Sequence, residues 1–306
     1  MSINNESRNH LVWRWKPNAL ARNSLIGVLA FISIIWLSLP VSAREIQVTP
    51  TNPQLGDTIS VVINTSDNAP GEGNPRVIVG EESYPAFAMG GNKYRAFIPT
   101  TPLDKPGGKT LEIPLNQQKS SLSVNLRNRS FPLQRINLPP GRAGVKATEH
   151  ELQRVAAFKK LQTPEKYWNG SFLKPNNGRI TTVYGVRRYY NGEFAEKYFH
   201  RGVDYAGAAG SPVTAPAAGT VALVGKVSDG FRVHGNTVGI DHGHGVTSIL
   251  MHLQNINVKE GDVVKAGQIV GTVGSTGAST GPHLHWGLYV NGQSVDPVPW
   301  RLKGFD

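Results

Sequence analysis

The sequence contains no cysteine. That single absence removes thiol nucleophiles, thiolate metal sites and disulfides together. A protein without cross-links holds its shape by buried cores alone. No run of Lys and Arg interleaved with aromatic residues is found either, which excludes the usual signature of a nucleic-acid binder. The longest apolar run, Leu25 to Leu39, has 15 residues. A membrane span needs about 20. Charged residues make up 17% and apolar residues 39% of the chain, a globular composition that excludes global disorder.

The short apolar run does have a reading. Arg8, Arg14, Lys16 and Arg22 lie upstream of it, and Val41-Ser42-Ala43 follows. A basic flank, an apolar stretch and small residues in that order form a secretory signal. Cleavage is expected after Ala43, the alternative being an uncleaved anchor. Both place the remainder across the inner membrane, in the periplasm or cell wall, because the basic flank stays inside. Contact with the membrane is then expected only through the N-terminal segment, if it is kept. Of 32 basic and 21 acidic side chains, 28 and 20 lie beyond residue 43. The resulting modest positive field suits a polyanionic surface.

A length of 306 residues suggests about two domains. Gly 34 and Pro 21 together favour short strands and turns over long helices. Residues 44–140 carry period-2 segments such as Thr58 to Ile63, Tyr94 to Ile98 and Ser121 to Leu126, separated by turn residues. They predict an Ig-like β-sandwich with a spacing, binding or regulatory role. Residues 141–170 predict a helical connector. Thr148 with Glu151 three residues on is a capping-box pattern, and Pro164 stops the helix beyond Leu161. Leu152, Val155, Ala156 and Lys159 fall at helical spacing along it. Residues 171–306 return to short strands with glycine-rich turns. The fold class expected is mainly β.

The chemistry concentrates in this last segment. His283 and His285 sit two apart in Pro282-His283-Leu284-His285-Trp286, a strand by composition. On a strand, positions i and i+2 share a face. His200 and Asp204 are four apart, which also gives a shared face on a strand. Imidazole and carboxylate suit zinc, and three protein ligands with one open position make a catalytic site. His200, Asp204 and one histidine of the 283/285 pair complete such a shell. The other histidine and His252 remain for proton work. His242 and His244 form a second His-x-His, but Gly243 and Gly245 around it predict a structural turn. His234 and His150 are expected to play no metal role.

These motifs resemble the lysostaphin/LytM-type zinc endopeptidases of peptidoglycan. The likeness runs from about Phe172 to Pro297. It includes Gly178 to Arg188, His200 to Asp204, Gly210 to Val213, Ala218 to Val221, Asp241 to Gly245, Gly261 to Gly267 and Gly274 to His285. Many ordered motifs are far more specific than one His-x-His. The resemblance implies an antiparallel β-sheet peptidase domain. It implies that His200, Asp204 and His285 bind Zn2+, with His252 and His283 as the catalytic histidines. It implies peptidoglycan peptide stems as substrate. The alternative is a catalytically inactive relative that binds and activates another cell-wall hydrolase. The bond cut is not specified by these motifs.

Overall fold

Alternation of apolar and polar side chains sets the strands, and the burial of each strand sets what lies above and below it. The structure, a computed structural model, describes residues 46–65, 75–115, 118–137 and 145–305. The segment read as an export signal lies outside the described residues. Among the described residues no helix is long and apolar enough to cross a membrane.

The first seven strands are β1 (Ile46–Thr49), β2 (Thr58–Asn64), β3 (Arg76–Val79), β4 (Glu82–Gly90), β5 (Lys93–Pro99), β6 (Gly107–Leu115) and β7 (Gln118–Leu126). They pair in the order β1-β2-β5-β4-β3-β6-β7. Ile59, Val61 and Ile63 of β2 share one buried cluster with Leu111 and Ile113 of β6 and Val124 of β7. These strands are not neighbours in the pairing order, so the sheet turns over on itself to close a core.

Next come β8 (Leu133–Ile136), helix α1 (Glu149–Lys159), β9 (Ile180–Thr182), β10 (Arg187–Tyr190) and β11 (Glu193–Phe194). Thr148 caps α1 with the reciprocal bonds of a capping box, as the sequence pattern predicts. The buried face differs from the one suggested by apolar spacing. Glu151, Val155 and Phe158 are buried, while Leu152 is 51% exposed. A carboxylate has displaced a leucine from the inward face. β8 pairs in parallel with β10, and β10 pairs antiparallel with β11, in a three-stranded sheet. The stretch before His200 is thus a hairpin with a strand from residues 133–136 added to its edge.

The remaining strands are β12 (Val203–Ala206), β13 (Pro212–Thr214), β14 (Gly219–Gly225), β15 (Asn236–Gly243), β16 (Val246–Ile256), β17 (Val263–Val264), β18 (Ile269–Val273), β19 (His283–Val290) and β20 (Gln293–Val295), followed by α2 (Pro297–Leu302). Their main path is β17-β14-β15-β16-β19-β12-β9, antiparallel throughout. The two faces of β19 have separate fates. Leu284, Trp286, Leu288 and Val290 enter the main core with Trp168, Phe172 and Trp300. Tyr289, on the other face, packs with Ile249, Leu223 and the α1 residues Val155 and Phe158. α1 therefore covers one end of the face that also carries His283 and His285. Phe97 of β5 belongs to the main core, and Trp300 donates its indole N–H to Thr58 Oγ1 at 2.9 Å. The N-terminal sheet and the long sheet thus share apolar packing.

Candidate metal centre

Three adjacent positions on two paired strands and one loop define the site. Asp204 on β12 lies opposite His285 on β19, and Ala206 lies opposite His283. The pleat then turns His283, His285 and Asp204 to the same side. His200 precedes β12. Its backbone is tied to the β10 hairpin, with its N–H donated to Val186 O at 2.9 Å and its carbonyl accepting from Gly185 N–H at 2.9 Å.

His200 Nε2, Asp204 Oδ1 and His285 Nδ1 form a triangle with sides of 3.1, 3.1 and 2.8 Å. Among the described residues these three make up the group of His and carboxylate side chains able to hold a metal ion. Ligands about 2.0–2.1 Å from a tetrahedral zinc would stand about 3.3 Å apart, close to these separations. The chemistry of the donors points the same way. His200 Nδ1 donates to the Val183 carbonyl at 2.9 Å. A neutral His200 therefore turns a lone pair, not a proton, toward the carboxylate and the second ring. Burial alone would raise the pKa of Asp204, but the imidazoles of His200 and His285 hold it far below the usual carboxylate range. Burial also lowers the His285 pKa to about 4, so its ring is neutral at pH 7. A carboxylate and two ring nitrogens converging on one point form a cradle for a cation once those nitrogens turn lone pairs to it. The residues fit a zinc ion.

Two further imidazoles border the cradle. The ring centroids of His252 and His283 are 4.8 Å apart, and His252 and His285 are 6.3 Å apart. His283 Nε2 lies 4.0 Å from Asp204 Oδ1. His252 Nδ1 donates to Thr276 O at 2.8 Å, and His283 Nδ1 donates to Gly281 O at 2.8 Å. A carbonyl can only accept, so both neutral rings carry the proton on Nδ1 and present an unprotonated Nε2. Burial lowers the His252 pKa to about 3. His252 has a left-handed backbone, φ 63, inside β16 rather than at its end. Such a conformation is strained for a residue with a Cβ, and strain of this kind clusters at functional sites.

The structure brings together all five residues singled out in the sequence: His200, Asp204, His252, His283 and His285. Among the described residues, it keeps the other histidines away from the cradle. His242 is fully buried in β15, bonded to Ala218 O at 2.8 Å and Ser248 Oγ at 2.9 Å. His244 is buried and stacked on Phe87 at 4.8 Å. Both are structural: His242 lies in β15, and His244 lies in the turn that follows, buried against Phe87. His150 is exposed. His234 is bonded to Glu151. Sequence reasoning missed the residues that orient the rings: Val183, Thr276 and Gly281 act through backbone carbonyls, which no side-chain pattern reveals. Gly202 immediately precedes β12. A Cβ there would collide with the Trp286 carbonyl and lie 2.7 Å from His285 Nε2, so glycine is what lets β12 approach the ligand.

A mainly β protein with a two-histidine, one-carboxylate cradle and two bordering imidazoles belongs to a narrow class. Residues 198–297 match the model of Peptidase family M23. These residues form a Peptidase M23 domain of the lysostaphin/LytM type. It is 44% identical over 103 residues to the DD-carboxypeptidase/endopeptidase Mpg of Neisseria meningitidis serogroup B, covering 34% of this chain and 23% of that protein. It is 42% identical over 98 residues to the peptidoglycan DD-endopeptidase ShyC of Vibrio cholerae, covering 32% of this chain and 22% of that protein. The match thus spans under a quarter of either relative. A crystal structure assigned to peptidase M23 from Pseudomonas aeruginosa aligns more broadly. It covers 83% of this chain and 96% of that one, with a TM-score of 0.60 and 28% identity.

Proposed function

We propose that the protein is a zinc-dependent endopeptidase that hydrolyses peptide cross-links of peptidoglycan after export from the cytoplasm. The observation that carries this is the cradle itself. His200 Nε2, Asp204 Oδ1 and His285 Nδ1 meet within about a ligand–ligand distance of one another, beside two rings held in one tautomer. His200, Asp204 and His285 would hold the ion. When bound, zinc supplies Lewis acidity and lowers the pKa of water toward about 7.

The rest of the chemistry falls to the side chains. Amide hydrolysis needs a group that removes a proton from water and a group that delivers one to the departing amine. His252 and His283 each offer Nε2 as a base. A proton taken from the attacking water at one Nε2 can be released to the amine nitrogen as the C–N bond breaks. Once protonated, either Nε2–H can donate to the oxyanion that forms at the scissile carbonyl. Burial, which lowers the His252 pKa to about 3, keeps that ring unprotonated until the reaction supplies the proton. The Nδ1 bonds to Thr276 O and Gly281 O hold each ring in the productive orientation.

An inactive family member acting only as an activator would need a gap in this set, and His200, Asp204, His252, His283 and His285 are all present. Digestion of purified sacculi tests the reading. Zinc-loaded protein should release cross-link cleavage products, identified by mass spectrometry, and a chelator should abolish the release. Fully metallated protein that leaves sacculi of every cross-bridge type intact would sink the proposal. Export is tested separately by N-terminal sequencing of protein recovered from the periplasm, where a start at Arg44 is expected.

A further inference from the structure

Glu151 is a fully buried carboxylate on α1, outside the matched segment 198–297. A buried carboxylate is costly unless its oxygens are bonded. Here the donors are numerous. The backbone N–H groups of Arg232, Val233 and His234 donate to it at 2.9, 3.0 and 2.7 Å. The His234 ring lies 2.6 Å away through Nδ1. Thr148 N–H, at 3.4 Å, completes the helix cap. Burial alone would raise the Glu151 pKa, yet the His234 and Arg232 donors hold it lowered, so it is a carboxylate. A capping box requires one such bond. The others fasten residues 232–234, about 80 positions further along the chain.

From this fastened segment two arms reach His252. His234 O accepts the His252 backbone N–H at 3.1 Å. Asn236 N–H donates to Thr276 Oγ1 at 2.9 Å, and Thr276 Oγ1 donates to Leu253 O at 2.8 Å. Thr276 O then accepts from His252 Nδ1. Val233 O also accepts from Ala278 N–H at 3.0 Å. Gly235 is pressed against Thr276, where a Cβ would lie 2.5 Å from the Thr276 carbonyl oxygen. Both ends of His252, its strained backbone and its ring, are therefore held by a segment whose own anchor is Glu151.

We infer that Glu151 is a positioning residue for His252, and that α1 is a working part of the peptidase site rather than a link between sheets. The inference rests on the proposed peptidase reading, in which His252 handles protons. Its physical content is that the carboxylate fixes residues 232–236, these fix Thr276 O, and Thr276 O fixes the His252 tautomer.

The test uses the full chain loaded with zinc. Imidazole ¹⁵N spectra report the tautomer of His252 without turnover, and a soluble cross-linked muropeptide reports kcat and KM. In Glu151→Gln the spectrum should change from one tautomer to a mixture. Its kcat should fall roughly 10- to 100-fold, as for other outer residues that orient a site, with KM and zinc content unchanged. Thr276→Val cuts the second arm and should give the same signature, and it decides the matter if Glu151→Gln does not fold. Phe158→Leu loosens α1 through its apolar face only, and should lower stability while leaving the His252 spectrum and kcat as in the wild type. An unchanged His252 spectrum and kcat in Glu151→Gln would overturn the inference. So would a loss of kcat that Phe158→Leu reproduces in full. A wild-type protein with the single-tautomer spectrum but no turnover would instead reject the peptidase reading and leave the positioning network standing.

Discussion

Two His-x-His pairs occur in this chain, and lowering the pH should show that one of them belongs to the core. His242 is fully buried. Its Nδ1 faces Ala218 O, which can only accept, so Nδ1 carries the proton. Nε2 must then accept from Ser248 Oγ–H. Ser248 Oγ in turn accepts from Trp286 Nε1–H at 3.1 Å. A second proton on His242 would break this relay and leave a charge in an apolar interior. Burial accordingly lowers its pKa from 6.5 to about 4. In the unfolded chain the ring protonates near 6.5, and in the fold only near 4. The unfolded state thus binds more protons between these values. Stability is full above pH 6.5 and falls as the pH drops toward 4, by about 2 kcal/mol at pH 5 and about 3 kcal/mol at pH 4 from this one group. His242→Asn keeps a donor toward Ala218 O, loses the Ser248 bond and cannot titrate. It should cost about 1–3 kcal/mol at pH 7.5 and remove that part of the acid dependence. Urea unfolding followed by tryptophan fluorescence at pH 7.5, 6, 5 and 4 measures both. His244, also lowered to about 4 by burial, titrates in both proteins and cancels in the difference. Parallel stability curves for the two proteins would refute the argument. So would loss of bound zinc in His242→Asn, since that would make the residue a ligand.

The remaining predictions concern the site. His285→Ala should remove zinc and activity together, read by elemental analysis and by digestion of sacculi; full zinc in that variant would reject the ligand set. His252→Ala and His283→Ala should keep stoichiometric zinc and lose roughly 10²–10⁴-fold in kcat, the range for removing a positioned acid or base. Gly202→Ala should weaken zinc binding in competition titrations, because its Cβ cannot coexist with the Trp286 carbonyl and His285 Nε2 where they stand. An unaltered affinity there would mean that β12 has slack the packing does not suggest.

How much could be read beforehand depended on the range of the interaction. The strand β14 was legible because alternation is local: Gly219–Gly225 alternates buried and half-buried along its whole length. The helix cap was legible for the same reason, since Thr148 and Glu151 are three apart. The inward face of α1 was not. Apolar spacing favours Leu152, but Glu151 finds its donors on residues 232–234, and nothing near residue 151 announces them. β8 was equally hidden. Its partner β10 is about 50 residues away, and Leu133–Ile136 has no buried side chain to betray a strand. The five site residues were legible as a set because their motifs are dense and ordered. Their orientation was not, because it comes from the carbonyls of Val183, Thr276 and Gly281, and every residue type has a carbonyl.

The contrast between the two His-x-His pairs shows why spacing needs a strand to mean anything. His283 and His285 stand within β19, whose extended backbone puts both rings on the side facing β12's Asp204. His242 and His244 have the same spacing, but the strand ends between them. Gly243 at φ 85 and His244 at φ 52 leave the extended region, and the turn carries His244 away. One ring goes into the sheet to Ser248 while the other stacks on Phe87 of β4. A positive φ is open to glycine at little cost and to histidine only with strain. Gly243 also leaves room for the Glu165 carbonyl, which a Cβ would strike. Two rings can bind one ion only if the backbone between them keeps its period, so the glycine that fits the turn also separates the pair. The distinction between ligands and core residues is therefore made by the residue between the histidines: Leu284, buried and extended, in one case and Gly243, left-handed, in the other.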